Sequence, residues 1–370
     1  MTTKEFEIGP IRPPSEAESL LLRITRNCPW NKCRFCKLFR DHKFSVRSVD
    51  EIKADIDQVA SYRDDIMNGI PENLYELPED VMQRYLYVMS WMSNGGESVF
   101  LQDANTVVLA YDKLREILVY LREKLPCIKR VTSYGRVDSL DRLSLEQLTG
   151  LREAGLDRIH SGYESGSDKV LSLINKGHTK AQEIEAGLKV KASGIELSVY
   201  FMPGAGGRVL SGENALETAD VVSKVDPDFV RIRTFVAYSG TELLEDIKAG
   251  RLIECTDMEK VLELKQMIAS IDGADGYLYS DHIINLLEDV NGKMTTDRDK
   301  MLSVFDAFEG LDPVEQRRYQ LARRLGMVRS VSQLPRLARD QRDTVDSYLL
   351  RLDTSDVFEA FLSKLLRRYM

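Results

Sequence analysis

The sequence predicts an α/β fold built on a parallel sheet. Three observations carry this reading. Short apolar runs alternate six times with helical stretches, turn residues separate them, and a mostly helical pattern takes over after about residue 250. Residues 19–24 (SLLLRI) read as the first strand, and 49–62 as a helix with Ile52, Ile56 and Val59 on one face. An irregular insertion follows, about residues 64–94, carrying Pro71 and Pro78; its part 81–92 reads as helical. Residues 98–102 (SVFLQ) are the second strand and 111–124 the second helix. Residues 128–133 (IKRVTS) are the third strand, followed by a helix at 144–154 that Gly155 stops. A fourth strand at 158–162 precedes a helix at 179–193, with Thr179 as its N-cap and Gly194 at its end. Residues 195–202 form the fifth strand, which Pro203 and the glycines after it terminate. A helix at 212–224 leads to the sixth strand, 229–236 (FVRIRTFV). Helices are expected in the tail at 258–271, 283–288, 298–308, 314–325 and 345–366. In such a sheet the functional loops gather at the carboxyl ends of the strands.

A chain of 370 residues, 43% hydrophobic and 30% charged, suits one globular α/β unit. The net charge of −8 argues against a DNA-binding scaffold. The sequence has no apolar run of the roughly 18 residues a membrane helix needs. The start MTTKEFEIGPIRPPSEAES lacks the basic and apolar parts of a signal peptide, so a cytoplasmic location is expected. Thiols stay reduced there. Three of the five cysteines fall within nine residues, which asks for a chemical reason.

That segment is CPWNKCRFC, with Cys28, Cys33 and Cys36 spaced C-x4-C-x2-C directly after an apolar strand. Thiolates are soft ligands for iron–sulfur clusters or zinc. Three thiolates on a four-iron cluster leave one iron open to an exchangeable group. With His42 five residues beyond Cys36, the same loop offers a closed Cys3His zinc tetrahedron. The loop taken alone leaves both open, along with unrelated cysteines.

The strand, cysteine loop and helix resemble the start of the radical S-adenosylmethionine (radical SAM) superfamily, whose usual spacing is C-x3-C-x2-C with an aromatic before the last cysteine. Phe35 holds that aromatic position, and the first gap here is one residue longer. GYESGSDKVLSLINKGHT (162–179) resembles the segment shared by the coproporphyrinogen dehydrogenase, methylthiotransferase and Elongator-like branches. The resemblance spans about residues 19–242. It implies a partial (β/α)6 TIM-like barrel, preceded by an N-terminal segment (1–18) and followed by a C-terminal helical region (243–370).

The resemblance also implies a [4Fe–4S] cluster on Cys28, Cys33 and Cys36, with S-adenosylmethionine chelating the open iron. Glu164 and Ser165 would approach its ribose and Lys176 its carboxylate. Read without the resemblance, Glu164 is a surface acid and Lys176 a helix C-terminal cation. Gly95-Gly96-Glu97 precedes its strand and reads as a turn. Asp103 and Asn105 therefore stand where the family holds the methionine ammonium group, or else cap the next helix. Ser133 and Arg136 end the third strand, a family-typical place for cofactor contacts, and Met202 lies in the apolar-Pro-Gly ending of the fifth. Leu197 or Ser198 stands where some relatives use a carboxylate. Arg231 and Arg233 share a face of the sixth strand, so that one of them meets an anionic group or forms an outward salt bridge. No Gly-Lys-Ser/Thr follows Gly204-x-Gly206-Gly207, which argues against a phosphate loop.

The implied activity is reductive cleavage of S-adenosylmethionine to a 5′-deoxyadenosyl radical that abstracts hydrogen from a substrate. A one-electron reductant such as flavodoxin or ferredoxin would supply the electron. Methyl or sulfur transfer is the alternative within the enzyme class; the lack of a cobalamin-length N-terminus and of a second cysteine cluster favours the simpler reaction. A zinc-stabilised binding module is the alternative outside it. The substrate is not legible.

Overall fold

The computed structural model describes residues 5–70 and 73–369; Pro71 of the insertion and the first four residues of the N-terminal segment lie outside them. Ten strands are present among the described residues: β1 (Leu20–Arg23), β2 (Thr25–Arg26), β3 (Ser45–Val46), β4 (Ser98–Gln102), β5 (Arg130–Tyr134), β6 (Arg158–Glu164), β7 (Glu196–Phe201), β8 (Phe229–Ile232), β9 (Tyr277–Tyr279) and β10 (Asn291–Lys293). Eight form one sheet in the order β1-β4-β5-β6-β7-β8-β9-β10. The pairs β1:β4, β4:β5, β5:β6, β7:β8 and β8:β9 are parallel, while β10 runs antiparallel to β9. The fold is therefore the expected mostly parallel α/β core.

By packing, the chain divides into two compact units. The first comprises the chain to Asn31, Phe39–Ser161 and Glu185–Leu197. Its helix Val49–Asn68 starts with a capping box: Ser48 Oγ accepts from Glu51 N–H, and the Glu51 carboxylate accepts from Ser48 N–H. Ile52, Ile56 and Val59 are buried along it, as the periodicity predicts. The insertion contributes the helix Glu79–Ser93, whose Tyr85 ring packs 4.3 Å from Tyr62. The N-terminal segment is held firmly. Phe6 is fully buried between Tyr62 and Tyr87, and the Gln102 amide takes the N–H and carbonyl of Gly9 at 2.7 and 3.2 Å. The short pair β2:β3 closes the base of the cysteine loop, matching Thr25 with Val46 and Arg26 with Ser45.

The second unit comprises Lys32–Leu38, Gly162–Ile184 and Ser198–Met370. The tail departs from its expected pattern in three places. It adds β9 and β10, runs of three residues too short for periodicity to register. Residues 283–288 are turns rather than a helix, because the Asn285 side chain is turned inward onto Thr234, Ile232 and Ser280. The expected helix 345–366 is two, Arg339–Arg351 and Ser355–Leu366, the second capped by Thr354. The sixth strand also ends early, at Ile232, since Thr234 bonds to Asn285 instead of a neighbouring strand. Among the described residues no helix is long and apolar enough to cross a membrane.

Candidate active site

The first unit places Cys28 directly after β2 and the left-handed residue Asn27 (φ 69°); Asn31, also left-handed (φ 48°), turns the chain beyond it. Asparagine tolerates this conformation better than most side chains. Asn31 N–H points at Cys28 Sγ, 3.4 Å away. Asn27 N–H donates to Asp103 Oδ2 (3.0 Å), tying the loop to the end of β4.

Asp103 is fully buried and paired with Arg23 at 2.6 and 2.9 Å through that same oxygen. Burial pushes its pKa up, against the lowering pull of Asn27 and Arg23. Its Oδ1 is buried without a hydrogen-bond partner among the described residues and faces Gly9, where a side-chain methyl would overlap it. Asn105 is engaged at both ends of its amide, accepting from Arg136 N–H (3.0 Å) and donating to Ser139 (2.8 Å). Arg136 pairs with Asp138 at 2.8 Å and lies 5.4 Å from the Trp30 ring. Ser133 turns its hydroxyl to the Tyr134 carbonyl.

The second unit holds the stretch with Cys33 and Cys36. Arg34, between them, anchors it: its N–H donates to Ile174 O (2.9 Å) and its guanidinium to Leu173 O (3.1 Å), with Glu242 and Asp246 as ion-pair partners. Asn175 Nδ2 donates to Lys32 O at 3.0 Å. Sequence reasoning missed Arg34; its flanking cysteines were the available signal. Phe35 packs on the apolar cluster of Met202, Val170, Ile174 and Phe235, and its ring lies 5.9 Å from Lys176 Nζ. Lys176 pairs with Glu164 at 2.9 Å. Phe35, Glu164, Lys176 and Met202 are thus brought together, and Met202 N–H donates to Glu164 O.

Glu164 has φ 72°, an unfavourable backbone for a non-glycine residue that is held by these bonds at the end of β6. A methyl on Gly162 would overlap Glu164 Oε1 and approach Lys176 Nζ to 2.9 Å, so the pair needs glycine there. Behind it, buried His178 and Glu183 meet at 2.8 Å, and burial holds the Glu183 pKa well above its usual value. Ser165 bonds to Asn214, which donates to Glu263 at 2.6 Å. Arg233 lies 5.2 Å from the Tyr200 ring.

A methyl on Gly166 would overlap the Glu217 carbonyl oxygen and sit 2.7 Å from Thr218 Cα, both backbone. Gly166→Ala is therefore expected to destabilise the chain by about 1–3 kcal/mol and displace Ser165 from Asn214, read by urea unfolding.

The five cysteines stand outside disulfides, and no three His, Cys, Asp or Glu side chains among the described residues are gathered around a single-ion site. The pattern of the Radical SAM superfamily matches residues 22–219, more than half of the chain. The chain belongs to the radical SAM superfamily. It is an enzyme, and its cofactors are those of the family, a [4Fe–4S] cluster and S-adenosylmethionine. Each unit offers donors that fit them: the first the soft Cys28 thiol and a buried carboxylate oxygen without a partner at Asp103, the second the Cys33 and Cys36 thiols and the Lys176 cation beside an aromatic ring.

Among relatives, this radical SAM chain is similar to the 4′-phospho-dehydrooxetanocin synthase of Priestia megaterium, 27% identical over 215 residues, covering 56% of this chain and 26% of that protein. It is similar to the tRNA uridine(34) acetyltransferase of Methanocaldococcus infernus, 29% identical over 112 residues, covering 30% of this chain and 21% of that one. The chain thus spans about a quarter or less of these relatives' length. Among solved structures, the cobalamin-dependent radical enzyme OxsB matches with TM-score 0.46 and 16% identity, over 95% of this chain and 58% of that one.

Proposed function

We propose that this radical SAM enzyme cleaves S-adenosylmethionine reductively and uses the resulting 5′-deoxyadenosyl radical to take a hydrogen atom from its substrate, with the cluster on Cys28, Cys33 and Cys36. The observation that carries the reading is the second unit's assembly: Arg34 pins the Cys33–Cys36 stretch to Ile174 and Leu173, two and three residues before Lys176. When bound, the cluster supplies the electron that breaks the sulfonium carbon–sulfur bond. Lys176 offers its ammonium group to the methionine carboxylate, and Glu164 its carboxylate to the ribose hydroxyls. Their mutual ion pair holds both side chains ready and partly desolvated. Asp103 Oδ1 offers an acceptor for the methionine ammonium group, and Asn31 N–H stabilises the Cys28 sulfur. Ser165, Met202 and the apolar cluster around Phe35 shape the dry wall beside them. A small reductant protein of the flavodoxin or ferredoxin type is the proposed electron donor.

Anaerobic reconstitution with iron, sulfide, S-adenosylmethionine and dithionite is expected to yield 5′-deoxyadenosine, assayed by chromatography. A properly loaded protein that forms none contradicts the reading. Lys176→Met is expected to weaken S-adenosylmethionine binding about tenfold or more in equilibrium dialysis, a change of at least ~1.4 kcal/mol. Unchanged binding removes Lys176 from the site.

A further inference from the structure

One face of β8 and β9 carries chemistry that the roles above leave unused. Along these strands Val230, Ile232 and Leu278 are fully buried on one side. Phe229, Arg231, Tyr277 and Tyr279 alternate onto the other, with Phe229 opposite Tyr277 and Arg231 opposite Tyr279. The three rings share an orientation. Phe229 lies 6.4 Å from Tyr277 and 6.3 Å from Tyr279 with planes 23° apart, and the two tyrosines are 6.1 Å apart at 13°. The Arg231 guanidinium stands among them, 5.3 Å from the Tyr279 ring and 5.9 Å from Phe229.

A purely structural role fits poorly. An aromatic stack that served packing alone would be covered, yet Tyr277 is 44% exposed and Phe229 and Tyr279 only half-buried. An arginine placed for stability takes a carboxylate at about 2.7–2.9 Å. Arg231 is itself buried, yet it meets the half-exposed Asp281 at 3.8 Å and donates to Ser198 Oγ at 3.3 Å. Its remaining N–H donors suit a flat or tetrahedral anion.

Aligned rings favour a planar aromatic group, since ring faces stack on any π-system. A buried, weakly paired guanidinium favours an anion. A neutral aromatic would leave Arg231 unused, and an aliphatic acid would leave the rings unused. We propose that this face binds the substrate, and that the substrate is a phosphorylated nucleoside or a molecule of that type, its base along Phe229, Tyr277 and Tyr279 and its phosphate at Arg231. The inference rests on the proposed function, because it names that reaction's substrate, but binding is measurable without turnover.

The test is calorimetric titration of the anaerobic holoprotein with uridine, cytidine and guanosine 5′-monophosphates, each against its nucleoside; adenine is avoided because S-adenosylmethionine carries it. At least one monophosphate is expected to bind about tenfold or more tightly than its nucleoside, a difference of ~1.4 kcal/mol. Arg231→Met should erase that phosphate advantage, and Arg231→Lys should restore part of it. Tyr279→Leu should weaken nucleotide and nucleoside alike. Circular dichroism confirms that each variant is folded. No advantage for any monophosphate, or an undiminished one in folded Arg231→Met, overturns the inference. Binding of S-adenosylmethionine to the same wild-type sample separates the two readings. If it binds and no nucleotide does, the substrate assignment alone fails; if a nucleotide binds and it does not, the proposed reaction fails.

Discussion

Cys33→Ala is expected to give a folded chain that holds no intact cluster and forms no 5′-deoxyadenosine. Removing one of three thiolates leaves two, too few to keep a cluster with an open iron. Loss of an outer-sphere partner already costs a metal site roughly 10–100-fold, so loss of a direct ligand should exceed that. Folding should survive, because Arg34 and Phe35 anchor the stretch around Cys33. Visible absorbance and iron content of the reconstituted variant, with circular dichroism as the fold control, check this. A variant that keeps either the cluster or the product refutes the ligand assignment.

Arg324→Met is expected to cost about 3–5 kcal/mol, the range for breaking a buried ion pair by removing one partner. Arg324 and Asp257 are both nearly inaccessible and meet at 2.9 and 2.8 Å, with a further bond from Arg324 to Ile284 O. Burial pushes the Asp257 pKa up, but the Arg324 charge and hydrogen bonds outweigh this and leave it below 3.8. The pair's stabilisation is therefore present above the ordinary carboxylate pKa and is lost as pH falls through the lowered folded value. In the variant, the unpaired Asp257 is relieved by protonation. The difference in urea midpoint between wild type and variant should then narrow as pH drops below about 4; a constant gap contradicts the assignment. The damage should also reach the site. Asp257 opens the helix that carries Glu263, and Glu263 holds Gly204 and, through Asn214, Ser165.

What was legible in the sequence was local. The cysteine spacing, Phe35 and GYESGSDKVL lie in contiguous segments, and the strands β1, β4, β5, β6, β7 and β8 announce themselves by apolar runs bounded by turn residues. Thr179 heads its helix with the expected cap. What depends on distant partners was not legible. Arg34 acquires its role from Ile174, Glu242 and Asp246, more than a hundred residues away. Asp103 read as an open acceptor, but Arg23, Asn27 and Gly9 close around it, leaving one oxygen without a partner. The aromatic face became visible only once β9 took its place beside β8, which a three-residue run does not advertise.

The central claim is that Cys28, Cys33 and Cys36 hold an iron–sulfur cluster that engages S-adenosylmethionine. Its most direct test is metal and sulfide analysis of the anaerobically reconstituted protein, followed by electron paramagnetic resonance of the reduced sample with and without S-adenosylmethionine. The account predicts brown protein with iron and sulfide at ~4 each per chain and a reduced-cluster spectrum that changes when S-adenosylmethionine is added. Colourless protein binding a single zinc ion, or a cluster whose spectrum ignores S-adenosylmethionine, would contradict it.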